Sequence, residues 1–269
     1  LSRPPLWQLP PGVASGTWEY THSPHIASDY DRFLAGSSIC RLDAQLIEQL
    51  FPPLASGETT LVADLGCGTG RSLIPLVQRG YHGLGIDLSQ AMLQACRQRA
   101  AAAGVSVATL RANLAQLEGI AADSVDDAIC LFSTLGMIRG EKNRQIALQH
   151  VTRILRPGGR FVVHAHNRWA AWSDPGGIAW LARSAWQAGV AGTTEFGDRV
   201  YPYRGLPDMF LHSFSRRELG GALRRAGLEV TAIFPLTRRA DRWLPLPRCG
   251  GPLRAGGYIA IAIKPPRDR

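Results

Sequence analysis

Apolar and polar positions along the chain fall into two recurring patterns: short continuous apolar runs, and longer stretches with apolar residues three or four apart. Residues 26–51 show the second, with Ile26, Tyr30, Phe33 and Leu34 followed by Leu42, Leu46, Ile47 and Leu50. Gly36, Ser37 and Ser38 interrupt them, which predicts two helices. After Pro52-Pro53, residues 59–65 read as a buried strand, and a glycine turn at 66–70 leads into a helix ending near Gly80. A second strand over 83–86 stops at Asp87. Ser89 is placed to cap a helix reaching about Ala103, with Met92, Leu93 and Cys96 as its apolar face. Further strands are predicted at 105–110, 127–132 and 160–166. A helix over 141–155, ended by Pro157-Gly158-Gly159, lies between the last two. Such alternation predicts an α/β fold, a mostly parallel sheet with helices on both faces.

From 167 to 207 the alternation lapses. Trp169, Trp172, Trp180 and Trp186 gather there among glycines and polar residues, which predicts an inserted cap rather than a sheet element. Strands at 209–214, 228–235 and 257–264, with a capped helix at 215–226, would then close the sheet with antiparallel members.

With 269 residues, 45% hydrophobic and 19% charged, the composition is that of a globular protein with a sizeable core. No apolar run approaches the ~18 residues of a membrane span. The stretch around Trp7, with Pro4, Pro5, Pro10 and Pro11, lacks a basic start and apolar core, so a cytoplasmic protein is expected. Cys40, Cys67, Cys96, Cys130 and Cys249 show no CxxC spacing and read as packing residues, with neither zinc nor iron–sulfur ligation expected. The net charge of +9 is unevenly spread: residues 1–150 carry 11 basic and 13 acidic groups, residues 151–269 carry 19 and 8. Only Lys142 and Lys264 are lysines, so the excess is arginine, suited to bidentate recognition of phosphate or carboxylate.

The sharpest chemical signal is Asp64-Leu65-Gly66-Cys67-Gly68-Thr69-Gly70, set where a strand turns into a helix. Glycines there allow a tight bend and close approach of a ligand to the backbone, and the helix start offers unpaired N–H groups. Asp87, at the end of the next strand, can accept both hydroxyls of a ribose. A dinucleotide fingerprint would need a small residue where Arg71 stands, and a P-loop would need Lys-Ser or Lys-Thr after the glycines; both are excluded.

This segment, followed by Gly85-Ile86-Asp87-Leu88-Ser89 and Leu155-Arg156-Pro157-Gly158-Gly159, resembles the successive motifs of class I S-adenosylmethionine-dependent methyltransferases over residues 58–166. The resemblance implies a Rossmann-like, seven-stranded sheet with an N-terminal helical lid over residues 1–57, a methyltransferase domain over 58–269, and the 167–207 cap inserted after the fifth strand. It implies S-adenosylmethionine as cofactor and S-adenosylhomocysteine as product. Asp64 and Gly66 would hold the methionine end, with Gly68 allowing close approach and Gly70 counted with them as cofactor-binding. Asp87 would take the ribose, and Leu88 and Met92 would pack on the adenine. Asn113 stands where such enzymes often place an acid against the adenine amino group, with Leu114 beside it; Phe132 would line the methionine side. Tyr30 and Arg41 match the tyrosine and arginine that a preceding helix folds over the cofactor.

The loop after the fourth strand has neither an Asp/Asn-Pro-Pro-Tyr sequence nor a Pro-Cys pair, which turns expectation away from planar amino groups and pyrimidine carbon 5 as acceptors. His164 and His166 share one side of the fifth strand, and His166 or Asn167 at its end could orient or deprotonate a substrate. No carboxylate accompanies them, so no metal is expected. The favoured acceptor is a small or medium organic molecule, with the lid tryptophans facing it. Two alternatives stand beside it: a wobble-uridine-type tRNA methyltransferase using the arginine-rich last third, and a cofactor-binding protein without catalysis.

Overall fold

The computed structural model describes residues 4–266 apart from Thr193 and Arg248. Seven strands form the central sheet: β1 Leu61–Leu65, β2 His82–Asp87, β3 Ala108–Arg111, β4 Val125–Cys130, β5 Leu155–His166, β8 Glu229–Leu236 and β9 Gly257–Ile263. Their spatial order is β3-β2-β1-β4-β5-β9-β8. The first five run parallel, while β9 lies antiparallel to both β5 and β8. The chain's order of strands therefore reverses between β1 and β4, and a crevice opens beyond their carboxyl ends.

The helices beside these strands follow their sequence signals. α5 Gln90–Ala102 starts where Ser89 Oγ accepts the amide of Met92, and its inner face holds Met92, Leu93 and Cys96. α6 Glu141–Ile154 turns its apolar side, from Ala147 to Ile154, into a core shared with Val125, Phe161 and Val163. α8 Arg216–Arg225 begins with a capping box in which Ser215 and Glu218 satisfy each other's backbone amides. α4 Leu73–Gln78, after the glycine turn, is a short helix whose Leu73 and Leu76 are fully buried.

The expected N-terminal helix pair is present as α2 Pro24–Leu34 and α3 Ser38–Leu50. An unforeseen helix, α1 Ser15–His22, precedes them. The 167–207 segment differs from expectation in one respect. It holds α7 Gly177–Trp186 but also a strand, β6 Asp198–Tyr203, which pairs antiparallel with β7 Leu206–His212 in a separate two-stranded ribbon. The strand expected at 209–214 is β7, and it belongs to this ribbon, not to the central sheet.

Candidate active site

The crevice is a cavity of about 390 Å³. Its inner wall is the row of strand ends. After β1 the chain turns through Gly66 at φ +81°, Gly68 at φ +53° and Gly70 at φ +78°, all in the left-handed region. The amides of Gly66 and Cys67 both donate to the carbonyl of Ile86, at 2.7 and 3.1 Å, locking the turn against the end of β2. A Cβ on Gly66 would stand 2.3 Å from Thr134 Cγ2, whereas one on Gly68 would meet nothing nearer than Tyr30 Cε1 at 3.8 Å. Gly68 thus leaves open space beside the backbone. Gly70 does not line the cavity; its bare Cα admits Cys96 of α5, whose Sγ would lie 2.5 Å from a Cβ there. That glycine sets helix packing instead of ligand approach.

Asp87 ends β2 and faces the cavity. Gly68 N–H donates to Oδ2 at 2.9 Å and Ser89 N–H to Oδ1 at 2.8 Å. Burial raises its pKa, and the amides of Ser89, Gly68 and Leu88 pull the other way. Of the carboxylate's roughly four lone-pair sites, at least one stays free of those amides. Leu88, Met92, Ala112 and Leu114 continue the wall as an apolar shelf. Asn113 lines it too, but its Nδ2 donates to Pro11 O at 2.8 Å and its Oδ1 accepts from Ala115 N at 3.0 Å. Its amide is engaged with the N-terminal segment, which leaves its oxygen one free lone pair.

At the other end of the cavity lie charged groups. Asp64 is buried, and burial pushes its pKa up to about 8, against the pull of the Arg71 guanidinium. Arg71 donates to Asp43 at 3.1 Å and stands 5.3 Å from the Phe132 ring centroid, while its Nε and Nη1 are buried without a partner. Burial lifts Asp43 to about 6 although Arg71 opposes the shift. Arg71 was read in the sequence only as a residue too large for a dinucleotide turn. Arg41, expected to face the cofactor, is exposed outside the cavity and donates to Gly36 O at 3.4 Å.

Phe132 and Ser133 follow β4 with φ +55° and +61°, a left-handed pair of non-glycine residues that carries backbone strain at the cavity floor. Ser133 Oγ accepts the amide of His166 at 2.9 Å, which ties the ends of β4 and β5 together. His166 lines the cavity, and burial lowers its pKa to about 4, so the imidazole is neutral. His164, one strand pair deeper, is fully buried with both ring nitrogens unpartnered; burial, then His166 and Arg71, holds it neutral. Asn167 is turned away. Its Nδ2 donates to Pro252 O and Ala255 O at 2.6 and 2.7 Å, and its Oδ1 accepts from Trp169 N at 3.2 Å. It anchors the α9 segment, Gly251–Arg254, and does not reach the cavity.

The outer wall comes from remote parts of the chain. Tyr20 of α1 and Tyr30 of α2 hydrogen-bond to each other, and burial raises the pKa of both. Tyr201 and Tyr203 of β6 complete a tyrosine quartet, with the Tyr20–Tyr203 and Tyr201–Tyr203 ring centroids each 6.2 Å apart. Met209 and Leu211 of β7 and Arg239 join them. The insertion's tryptophans, expected to face an acceptor, are absent from the lining; Trp172 and Trp186 are exposed. Tyrosines, drawn from positions as far apart as 20 and 203, take that place.

Several arginines of the last third are tied to their own chain. Arg168 pairs with Glu218, Arg225 with Glu141, Arg238 with Asp174, and Arg254 donates to the carbonyls of Pro245, Leu246 and Cys249. Glu195, Asp198 and His212 bring potential metal-ligating atoms within 4.8 Å. Both nitrogens of His212 already contact carboxylates, Asp198 at 2.7 Å and Glu218 at 2.8 Å, and Arg144 pairs with Glu195. The cluster is an ion network holding the base of the ribbon.

Residues 62–159 match the family model described as a methyltransferase domain. Residues 62–159 are thus a methyltransferase domain, and the chain carries the fold of the class I S-adenosylmethionine-dependent methyltransferases. That family's cofactor is S-adenosylmethionine. A ubiquinone biosynthesis O-methyltransferase of Pseudomonas aeruginosa is 29% identical over 65% of this chain and 67% of its own length. The first curated relatives are matched over 42, 42 and 49% of theirs, about half of each. Among solved structures, the CcbJ methyltransferase of Streptomyces caelestis shares the fold with a TM-score of 0.64, at 18% identity over 91% of this chain and 99% of that one. The 1,6-didemethyltoxoflavin-N1-methyltransferase of Burkholderia thailandensis, solved with that acceptor and S-adenosylhomocysteine, shares it with a TM-score of 0.55, at 18% identity over 90 and 91%.

Proposed function

We propose that the cavity binds S-adenosylmethionine and that the chain transfers the methyl group to a small or medium organic acceptor. The observation that carries the reading is the junction of Gly68 and Asp87: an open glycine backbone beside a cavity-facing carboxylate that keeps acceptor capacity free. In this reading Asp87 takes the ribose hydroxyls. Leu88, Met92, Ala112 and Leu114 flank the adenine, and the free lone pair of Asn113 Oδ1 accepts its amino group. Gly66 and Gly68 line the path to the methionine end, where Asp64 and the unpartnered nitrogens of Arg71 complement an ammonium and a carboxylate. Tyr30 and Phe132 close over that end.

The cofactor, when bound, supplies a methyl group on an already activated leaving group. The protein's task is then alignment and exclusion of water. The tyrosine quartet does both, since its rings cover the cavity and its hydroxyls offer hydrogen bonds to an acceptor. His166, neutral and weakly basic, orients a hydroxyl or amine by accepting its proton in a hydrogen bond. The named roles of the ubiquinone and toxoflavin relatives support a ring-bearing acceptor that stacks among tyrosines.

Calorimetric titration of S-adenosylmethionine into the wild-type protein and the Asp87→Ala variant tests the cofactor assignment. Loss of charge-assisted hydrogen bonds should weaken binding by about 1.5–3 kcal/mol. Equal affinities would overturn it. Turnover of a labelled methyl donor against a pool of hydroxylated and amino aromatic compounds tests the transfer itself; binding without transfer would leave a cofactor-binding protein.

A further inference from the structure

The insertion's tryptophans remain without a role in the cavity, and α7, which carries two of them, exposes a row of large apolar side chains. In α7, which the π-turn Gln187–Ala191 extends, the buried residues are small or polar, with Trp180 and Leu181 half-buried beside them. Gly177 packs so tightly that a Cβ would strike Ala171 O, and Ser184 Oγ accepts the amide of Gly197 at 3.1 Å. Ile178, Ala182, Trp186 and Val190, four residues apart, face outward. Ile178, Trp186 and Val190 are 69, 62 and 71% exposed. Trp172 and Leu253, at 47 and 50%, extend the surface, joined by a hydrogen bond of 2.7 Å from Trp172 Nε1 to Leu253 O. A helix against solvent alone would turn polar residues outward.

We propose that this face docks on an anionic lipid bilayer surface. The charge pattern selects that occupant. Between residues 175 and 192 the one charged side chain is Arg183, on the exposed side, and Arg254 lies exposed next to Leu253. Residues 151–269 carry 19 basic groups against 8 acidic. Exposed apolar and tryptophan side chains with an arginine, and no carboxylate between residues 175 and 192, are the composition of a helix lying in a membrane interface. Two copies meeting face to face would instead oppose arginine with arginine. No helix among the described residues is long and apolar enough to cross a membrane, so the contact is peripheral. The insertion runs from His166 to the Tyr201–Tyr203 wall, so a bilayer seated on it would lie along the segment that joins two sides of the cavity. The proposal stands independently of the methyltransferase reading.

Flotation of the full chain with phosphatidylcholine–phosphatidylglycerol vesicles, and with phosphatidylcholine alone, is the test. Binding to the mixed vesicles is expected, weakened by added salt, with a blue shift in tryptophan emission. The double variant Ile178→Ser, Trp186→Ser should lose affinity at least about tenfold while keeping its circular dichroism and melting temperature, because both side chains are exposed. Arg183→Glu should weaken binding to the mixed vesicles only. No flotation of the wild-type protein at low salt would overturn the proposal. So would unchanged flotation of the double variant, or a sedimenting dimer that the double variant abolishes without vesicle binding.

Discussion

The two walls of the cavity are built by different means. The inner wall is local. Gly66, Gly68, Asp87 and the shelf from Leu88 to Leu114 belong to consecutive strand–turn–helix units, and hydrogen bonds between adjacent strand ends fix their geometry. The outer wall is assembled across the whole chain. α1 lies so close to β7 that a Cβ on Gly16 would fall 2.0 Å from Asp208 O. Ser89 Oγ donates to Thr21 O at 2.7 Å, and Ser38 Oγ to Arg239 O at 2.6 Å. A wall made of backbone turns admits little variation, because each φ and each close contact is specified. A wall made of side chains brought from afar can change its chemistry residue by residue.

That contrast can be broken from either side. The largest effect should come from Gly66→Ala, which combines a left-handed backbone with a collision against Thr134. About 2–5 kcal/mol of stability should be lost in urea unfolding, with cofactor binding. A variant of wild-type stability would show that the turn is not rigid. The charged end of the inner wall should respond to pH. Asp64 holds its proton up to about pH 8 in the fold, far above the unfolded 3.8, so stability of the free protein should fall as pH rises between the two values. A bound ammonium favours the ionised form, so affinity for S-adenosylmethionine should increase with pH over the upper part of that window, by at most about tenfold per unit. In Asp64→Asn the affinity should be flat there; a parallel slope would assign the titration to another group.

On the outer wall, Tyr203→Phe should raise KM for the acceptor about two- to twelvefold, the equivalent of about 0.5–1.5 kcal/mol, while calorimetric affinity for the cofactor stays put. A matching loss of cofactor affinity would erase the distinction between the walls. Arg41→Ala should change neither binding nor stability by more than about 0.5 kcal/mol, since the side chain is exposed with one long hydrogen bond. A loss beyond that would return Arg41 to the cofactor.

The same contrast explains what the sequence disclosed. β1, β2, β4 and the end of β5 are buried apolar runs, and the glycines and Asp87 at their ends carry chemistry that depends on near neighbours. The outer wall has no such signature. α1 spans Ser-Gly-Thr-Trp-Glu-Tyr-Thr-His, without a helical apolar stripe, and is held by its contacts with β7 and α5. β6, Asp-Arg-Val-Tyr-Pro-Tyr, is half-exposed throughout and offers no apolar run. His166 and Asn167 are adjacent in the sequence, yet the end of β5 sends one into the cavity and the other into the carbonyls of Pro252 and Ala255. Only tertiary structure separates them. The four tryptophans drew attention by their spacing and size, but apolar bulk by itself does not say which side of a surface it will occupy.

The β6–β7 ribbon has a stiff root and a simple crown. At the root, His212 sits between Asp198 and Glu218, with Arg168 and Arg144 closing the network. At the crown, Tyr203 and Arg204 touch α2 through the Phe33 ring, whose centroid lies 5.9 and 4.6 Å away, and one hydrogen bond from Arg204 to Ile26 O. Because footing and fingertips are anchored separately, the crown behaves as an interchangeable part. A loop transplanted between Tyr201 and Met209 would inherit its foundation and bring a new preference for the guest.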